Sequence, residues 1–174
     1  TARELGASRV GIVTPYLPYM RQDKRFQPGE AVTSVTFASF LSQTFDWLVT
    51  VDPHLHRRAS LAEVYSIPAE NVASAPAIAR WVTANFTQPV IVGPDSESEQ
   101  WASDVAGRVG CPFIVLAKRR LGDRSVEISV PQVETHAGRR PVLIDDIISS
   151  ARTMAVAVRQ VRSVFEIAPV CVGV

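Results

Sequence analysis

Cysteine is scarce in this chain of 174 residues, which holds only Cys111 and Cys171. Each sits in or beside an apolar, strand-like run, so the pair reads as core thiols of a reducing compartment rather than a disulfide framework. No apolar run approaches the ~20 residues that a membrane helix needs, and no stretch has the form of a signal peptide. A cytoplasmic location without membrane contact is the expectation. An excess of one charge is missing too. Eighteen Lys and Arg against 17 Asp and Glu leave a formal net charge of +1, so no global field draws the chain to nucleic acid. Internal repeats and low-complexity tracts are also absent.

What is present is enough apolar material for a core, at 47% of residues, and a recurring pattern. Strand candidates run over residues 9–13, 47–51, 89–92, 112–116, 126–130, 142–144 and 169–174. Several are unbroken Val/Ile runs of the kind found in parallel strands buried on both faces. Helical spacing lies between many of them: Val32, Val35, Ala38 and Leu41; Ile78, Trp81 and Val82; Trp101, Val105 and Val109; Met154, Val158 and Val161. The alternation predicts an α/β fold with a mainly parallel central sheet flanked by helices. Residues 118–130 break it, reading as a strand, a basic loop and a second strand that pairs as a hairpin. Residues 1–8 read as the tail of a helix and 169–174 as an unfinished strand, so both ends look cut from a longer chain.

Charge is local. Arg21, Lys24 and Arg25, then Arg57 and Arg58, then Lys118, Arg119, Arg120 and Arg124 supply nine of the 18 basic residues. All fall in predicted loops, a pattern that suits a small anionic ligand better than a nucleic-acid groove. In open α/β sheets ligands bind outside the carboxyl ends of the strands. Those ends carry Arg21-Gln22-Asp23, Asp52-Pro53-His54, Gly93-Pro94-Asp95, Lys118-Arg119-Arg120 and Asp145-Asp146, whereas the strand starts are plain. The richest is Pro141–Met154: a buried strand, two carboxylates, a hydroxyl-rich turn and a helix start. Helix N-termini hold phosphate and carboxylates accept sugar hydroxyls, so the stretch reads as a cradle for a phosphorylated sugar. The plainer reading is a strand end and a helix cap.

These segments, in this order, resemble the ribose-phosphate diphosphokinase (PRPP synthetase) family of the phosphoribosyltransferase-like fold. Pro15–Lys24 resembles its Pro-Tyr-x-x-Tyr-x-Arg-Gln-Asp segment, Val51–His54 its Asp-x-His strand end and Val92–Asp95 its Pro-Asp turn. Lys118–Arg120 resembles its catalytic flexible loop, and Asp145–Thr153 its phosphoribosyl-diphosphate loop. The resemblance implies transfer of diphosphate from ATP to O1 of ribose 5-phosphate, yielding PRPP and AMP, with Mg2+ as cofactor. It implies two similar halves, with residues 1–70 closing the first and 71–174 forming most of the second. It also implies a homo-oligomer built from dimers, up to a hexamer.

By the same resemblance Lys118, Arg120 and His54 are catalytic, and Arg21, Gln22 and His54 contact ATP. Ribose 5-phosphate falls to Arg120, Asp145, Asp146, Ser149, Ser150, Ala151, Arg152 and Thr153. The metal falls to His54, Asp95 and Asp52, with histidine acting through water or phosphate because magnesium prefers oxygen. The bland reading of Lys118–Arg120 is a solvated loop. His54 and His56 have a zinc-like spacing without a third ligand. Ala151 and Arg152 depart from the family, which has small residues or Gly there. An Ala at positive φ costs roughly 1 kcal/mol, so either the loop is wound differently or these positions are unstrained. Arg152 offers a direct cation to the phosphate. Two alternatives remain open. One is a PRPP-consuming base phosphoribosyltransferase, although no aromatic-rich segment supplies a hood for the base. The other is a non-catalytic, synthetase-like regulatory subunit.

Overall fold

A computed structural model describes residues 1–120, 126–129, 135–136 and 138–173; for 117–120 and 126–129 the description is of the backbone alone. The chain divides into two compact units, Thr1–Ala73 and Ser74–Val174.

In the first unit, strands β1 (Gly11–Thr14), β2 (Trp47–Val51) and β3 (Ala69–Val72) form a parallel sheet in that order, with helix α1 (Thr33–Thr44) between β1 and β2. Leu48 of β2 packs with Ala38 and Leu41 of α1 and with Leu17, Met20, Leu61 and Tyr65 from the loops. The buried stripe of α1 is Ser34, Ala38 and Leu41, spaced four and three apart as a helix face requires. Val35, assigned to that face from its spacing, points outward at 46% exposure. β3 has the sequence Ala-Glu-Asn-Val, which carries no apolar signal, yet it pairs Leu48 with Ala69 through Val51 with Val72. A division of the chain after residue 70 would cut this strand. Residues 1–8 form hydrogen-bonded turns, with Leu5 N–H reaching Thr1 O at 3.0 Å, and no α-helix.

The second unit follows the α/β expectation. Helix α2 (Ala75–Asn85), β4 (Pro89–Gly93), α3 (Glu99–Val109), β5 (Phe113–Val115), β8 (Arg140–Asp145), α4 (Arg152–Arg162) and β9 (Val170–Gly173) build a four-stranded parallel sheet in the order β5-β4-β8-β9. β6 (Ala117–Arg120) and β7 (Val126–Ser129) pair antiparallel, Ala117 opposite Ser129 and Arg120 opposite Val126, which is the expected hairpin.

Burial on both faces explains the unbroken Val/Ile runs. Ile91, Val142 and Ile144 face a cluster with Ile78, Val82, Ala102 and Val105 from α2 and α3. Their neighbours Val90, Val92 and Leu143 face the opposite cluster, with Met154, Ala157 and Val161 from α4. Leu143 is fully buried. Leu143→Ala should cost about 2–5 kcal/mol, read as an earlier urea transition of the second unit. A loss near zero would mean that α4 does not pack on the sheet.

Candidate active site

The strand order of the second unit fixes where a ligand sits. From β4 the chain passes to β5 on one side, and β8 then returns to pair on the other side. The gap between the carboxyl ends of β4 and β8 is therefore the switch point at which open α/β sheets bind ligands. β4 delivers Gly93-Pro94-Asp95 to it and β8 delivers Asp145-Asp146.

Asp95 is oriented by a tight turn over Ser96–Ser98. The Glu97 N–H donates to Asp95 Oδ1 at 3.1 Å, and the buried Ser98 hydroxyl donates to Asp95 O at 2.5 Å. The turn closes this far because residue 93 has no side chain: a Cβ there would fall 2.6 Å from Ser98 Oγ. Asp145 is half-buried and Asp146 is buried, and the Asp146 N–H donates to Asp145 Oδ1 at 3.1 Å. Burial, then the charges of Asp146 and Asp95, push the Asp145 carboxyl up to about 7. The three acids thus share one electrostatic environment that favours a bound cation or hydroxyl donors.

After β8 the chain runs along the sheet edge. Ile148 lies directly over Gly173 of β9, where any side chain would collide with it. Ser149, Ser150, Arg152 and Thr153 are exposed. Among the described residues nothing bonds to the hydroxyls of Ser149, Ser150 or Thr153. Ala151, at φ 57° and ψ 9°, is the N-cap of α4 and offers no capping side chain. The loop therefore does take the left-handed turn that suits glycine, with alanine bearing the strain, while Arg152 is already helical.

In the first unit, the segment after β1 is anchored by buried Leu17 and Met20, which leaves Arg21 and Gln22 exposed. Asp52 and His54 follow β2 and both are buried, at 9% and 6% exposure. They take left-handed conformations, φ 38° and 57°, around a turn in which the His54 N–H donates to Asp52 O at 2.8 Å. The His54 ring meets the His56 ring edge-on at 4.1 Å.

Arg57 and Arg58, read from sequence as part of a ligand-binding cation set, are turned to internal use. Arg57 Nη1 donates to both carboxylate oxygens of Asp23, at 3.1 and 3.0 Å, and that side chain is 2% exposed. Arg58 Nη2 donates to Ser34 Oγ at 3.0 Å, and Ser34 Oγ donates to Gln22 O at 2.9 Å. The two loops are thereby tied into one piece. Sequence reasoning missed Ser34, and also Asn71, whose Oδ1 accepts from the Asp52 N–H at 3.0 Å; neither has a signal beyond its polarity. The side chains of Lys118 and Arg120 lie outside the described residues, as does Arg124; their strand β6 directly follows the buried Leu116.

Two outcomes follow for the second unit. Ala151→Gly should stabilise it by about 1 kcal/mol by relieving the left-handed strain, seen as a rise in urea midpoint; a fall would place the strain elsewhere. Asp145 keeps its proton in the folded state to about pH 7, whereas the unfolded chain releases it near the ordinary ~4. Between those values the folded state binds more protons, so stability falls as pH rises through the window. Asp145→Asn should flatten that decline when unfolding is followed from pH 4 to 8. An unchanged slope would show that Asp145 does not titrate in this range.

The comparisons with known proteins agree with this layout. Residues 60–165 match the phosphoribosyl transferase domain, and residues 1–44 match the N-terminal domain of ribose phosphate pyrophosphokinase. A ribose-phosphate pyrophosphokinase of Methanopyrus kandleri is 38% identical over 163 residues, covering 92% of this chain and 55% of the relative. One from Methanobrevibacter smithii is 32% identical over 169 residues, covering 90% and 56%. The chain thus spans about half the length of the curated relatives it matches. In fold it is similar to phosphoribosylpyrophosphate synthetase from Mycobacterium smegmatis, with a TM-score of 0.76 at 24% identity over 94% of this chain and 52% of that one. With residues 60–165 matched, this chain belongs to the phosphoribosyl transferase domain family, and its residues 1–44 are similar to the N-terminal domain of ribose phosphate pyrophosphokinase.

Proposed function

We propose that the protein transfers the diphosphoryl group of ATP to O1 of ribose 5-phosphate. The observation that carries this reading is the end of β8, where Asp145 and Asp146 stand beside Asp95 and an exposed hydroxyl loop leads into the uncapped start of α4. A carboxylate pair suits the ribose hydroxyls. Ser149, Ser150 and Thr153, the first N–H groups of α4 and the exposed Arg152 suit a 5-phosphate. That accounts for one substrate. Arg21, Gln22 and His54 supply a guanidinium, an amide and an imidazole for the second, ATP.

In the reaction O1 of the sugar attacks the β-phosphorus, the bond from that phosphorus to the α-bridging oxygen breaks, AMP leaves and the O1 proton passes to solvent. The chain's task is to hold the two substrates in line and to balance negative charge as it shifts along the phosphates. Lys118 and Arg120 are the cations proposed to act on the transferred group.

Magnesium is the proposed cofactor. Hard carboxylate oxygens suit it: in the second unit Asp95 would offer one, and the repulsion that raises Asp145 is of the kind a divalent cation relieves; in the first unit Asp52 would offer another, and His54 would act through water. When bound it would offset the negative charge of the ATP phosphates. Among the described residues no helix is long and apolar enough to cross a membrane. A cytoplasmic enzyme acting as a homo-oligomer completes the proposal.

The test is to incubate the chain with ATP, magnesium and ribose 5-phosphate and to quantify AMP and PRPP by ion-exchange chromatography. Both products should appear in equal amounts. Lys118→Ala should lower kcat by roughly 100-fold or more, the scale of losing a charge-stabilising group, without moving the unfolding midpoint. A loss below tenfold would remove Lys118 from the mechanism. Pyrophosphate release from PRPP and a base would instead identify a transferase, and nucleotide binding without turnover a regulatory subunit.

A further inference from the structure

We propose that Asn71, on β3, is a positioning residue that sets the Asp52–His54 turn and through it the binding of the nucleotide phosphates; this rests on the diphosphoryl-transfer reading above. At the end of β2 the chain leaves extended geometry abruptly, since Asp52 and His54 both have positive φ. Non-glycine residues hold such conformations only where their surroundings over-determine them. The β2–β3 ladder gives way at this point. Its next bond, from the Asp52 N–H to Val72 O, stretches to 3.4 Å. The side chain of Asn71 makes up the deficit, with Oδ1 accepting from the same N–H at 3.0 Å.

The placement follows from register. Asn71 pairs across β3 with Thr50, two residues before Asp52, so its side chain reaches forward past the strand end. One side chain therefore fixes the amide of a buried residue whose own carbonyl accepts from His54 N–H at 2.8 Å. The constraint passes from Asn71 to Asp52 and from Asp52 to His54. Asn71 itself is exposed, so its removal takes little packing with it. That separates positioning from bulk stability.

Asn71→Leu keeps the volume and removes the acceptor. It should raise KM for magnesium-ATP about tenfold, leave KM for ribose 5-phosphate within twofold and leave the unfolding midpoint unchanged. The His54 imidazole resonances in a 15N-correlated spectrum should shift in Asn71→Leu and return to their native positions in Asn71→Asp, which keeps an Oδ acceptor. Unmoved His54 resonances overturn the proposal, even if KM for ATP rises, because Asn71 would then touch nucleotide directly. An equal rise in both KM values overturns it as well. If the native chain makes no PRPP, the reaction assigned above fails, while the His54 spectra still decide for or against Asn71.

Discussion

Two parallel strands that lie side by side deliver the residues at and just past their ends to the same edge, and in the second unit these include three acids. The chain runs on from Gly93 of β4 through Pro94 to Asp95, and β8 ends at Asp145 with Asp146 directly after it. Both strands are buried on both faces by Val, Ile and Leu. An apolar core thus forces the carboxylates together, and Asp145 answers by holding its proton toward neutrality. Strand order, core packing and site electrostatics are one constraint seen at three scales. Such a cluster of acids would be relieved by a cation or by hydroxyl donors.

Arginine is used differently in the first unit. Sequence alone gives Arg57 and Arg58 the look of phosphate ligands. The geometry gives them to Asp23 and Ser34, where a planar fork of donors ties one loop to another. With Asp23 nearly sealed from solvent by this pairing, the neighbouring Arg21 and Gln22 remain exposed on a segment that is held from below. Charged residues near a candidate site thus sort into those that meet a ligand and those that hold the ones that do.

Where the sequence was legible and where it was not follows from the same physics. β4 was readable because a parallel strand buried at every position must be apolar throughout, and the run Pro89–Val92 has no competing pattern. β3 was unreadable because its Glu70, Asn71 and Val72 are exposed and needed no hydrophobic code. On α1 the spacing of threes enlisted Val35, whereas the buried face includes Ser34, a polar residue spent on a hydrogen bond to Gln22. The acidic pair and the hydroxyl loop were visible as composition. The left-handed turn at Ala151 was not, because alanine gives no hint of positive φ.

Ile148 resting on Gly173 ties the hydroxyl loop to the last strand of the unit. The loop that follows β8 takes its shape from β9, which lies later in the chain. The final form of the loop therefore depends on β9, and the edge that carries the candidate site is complete only with that strand in place.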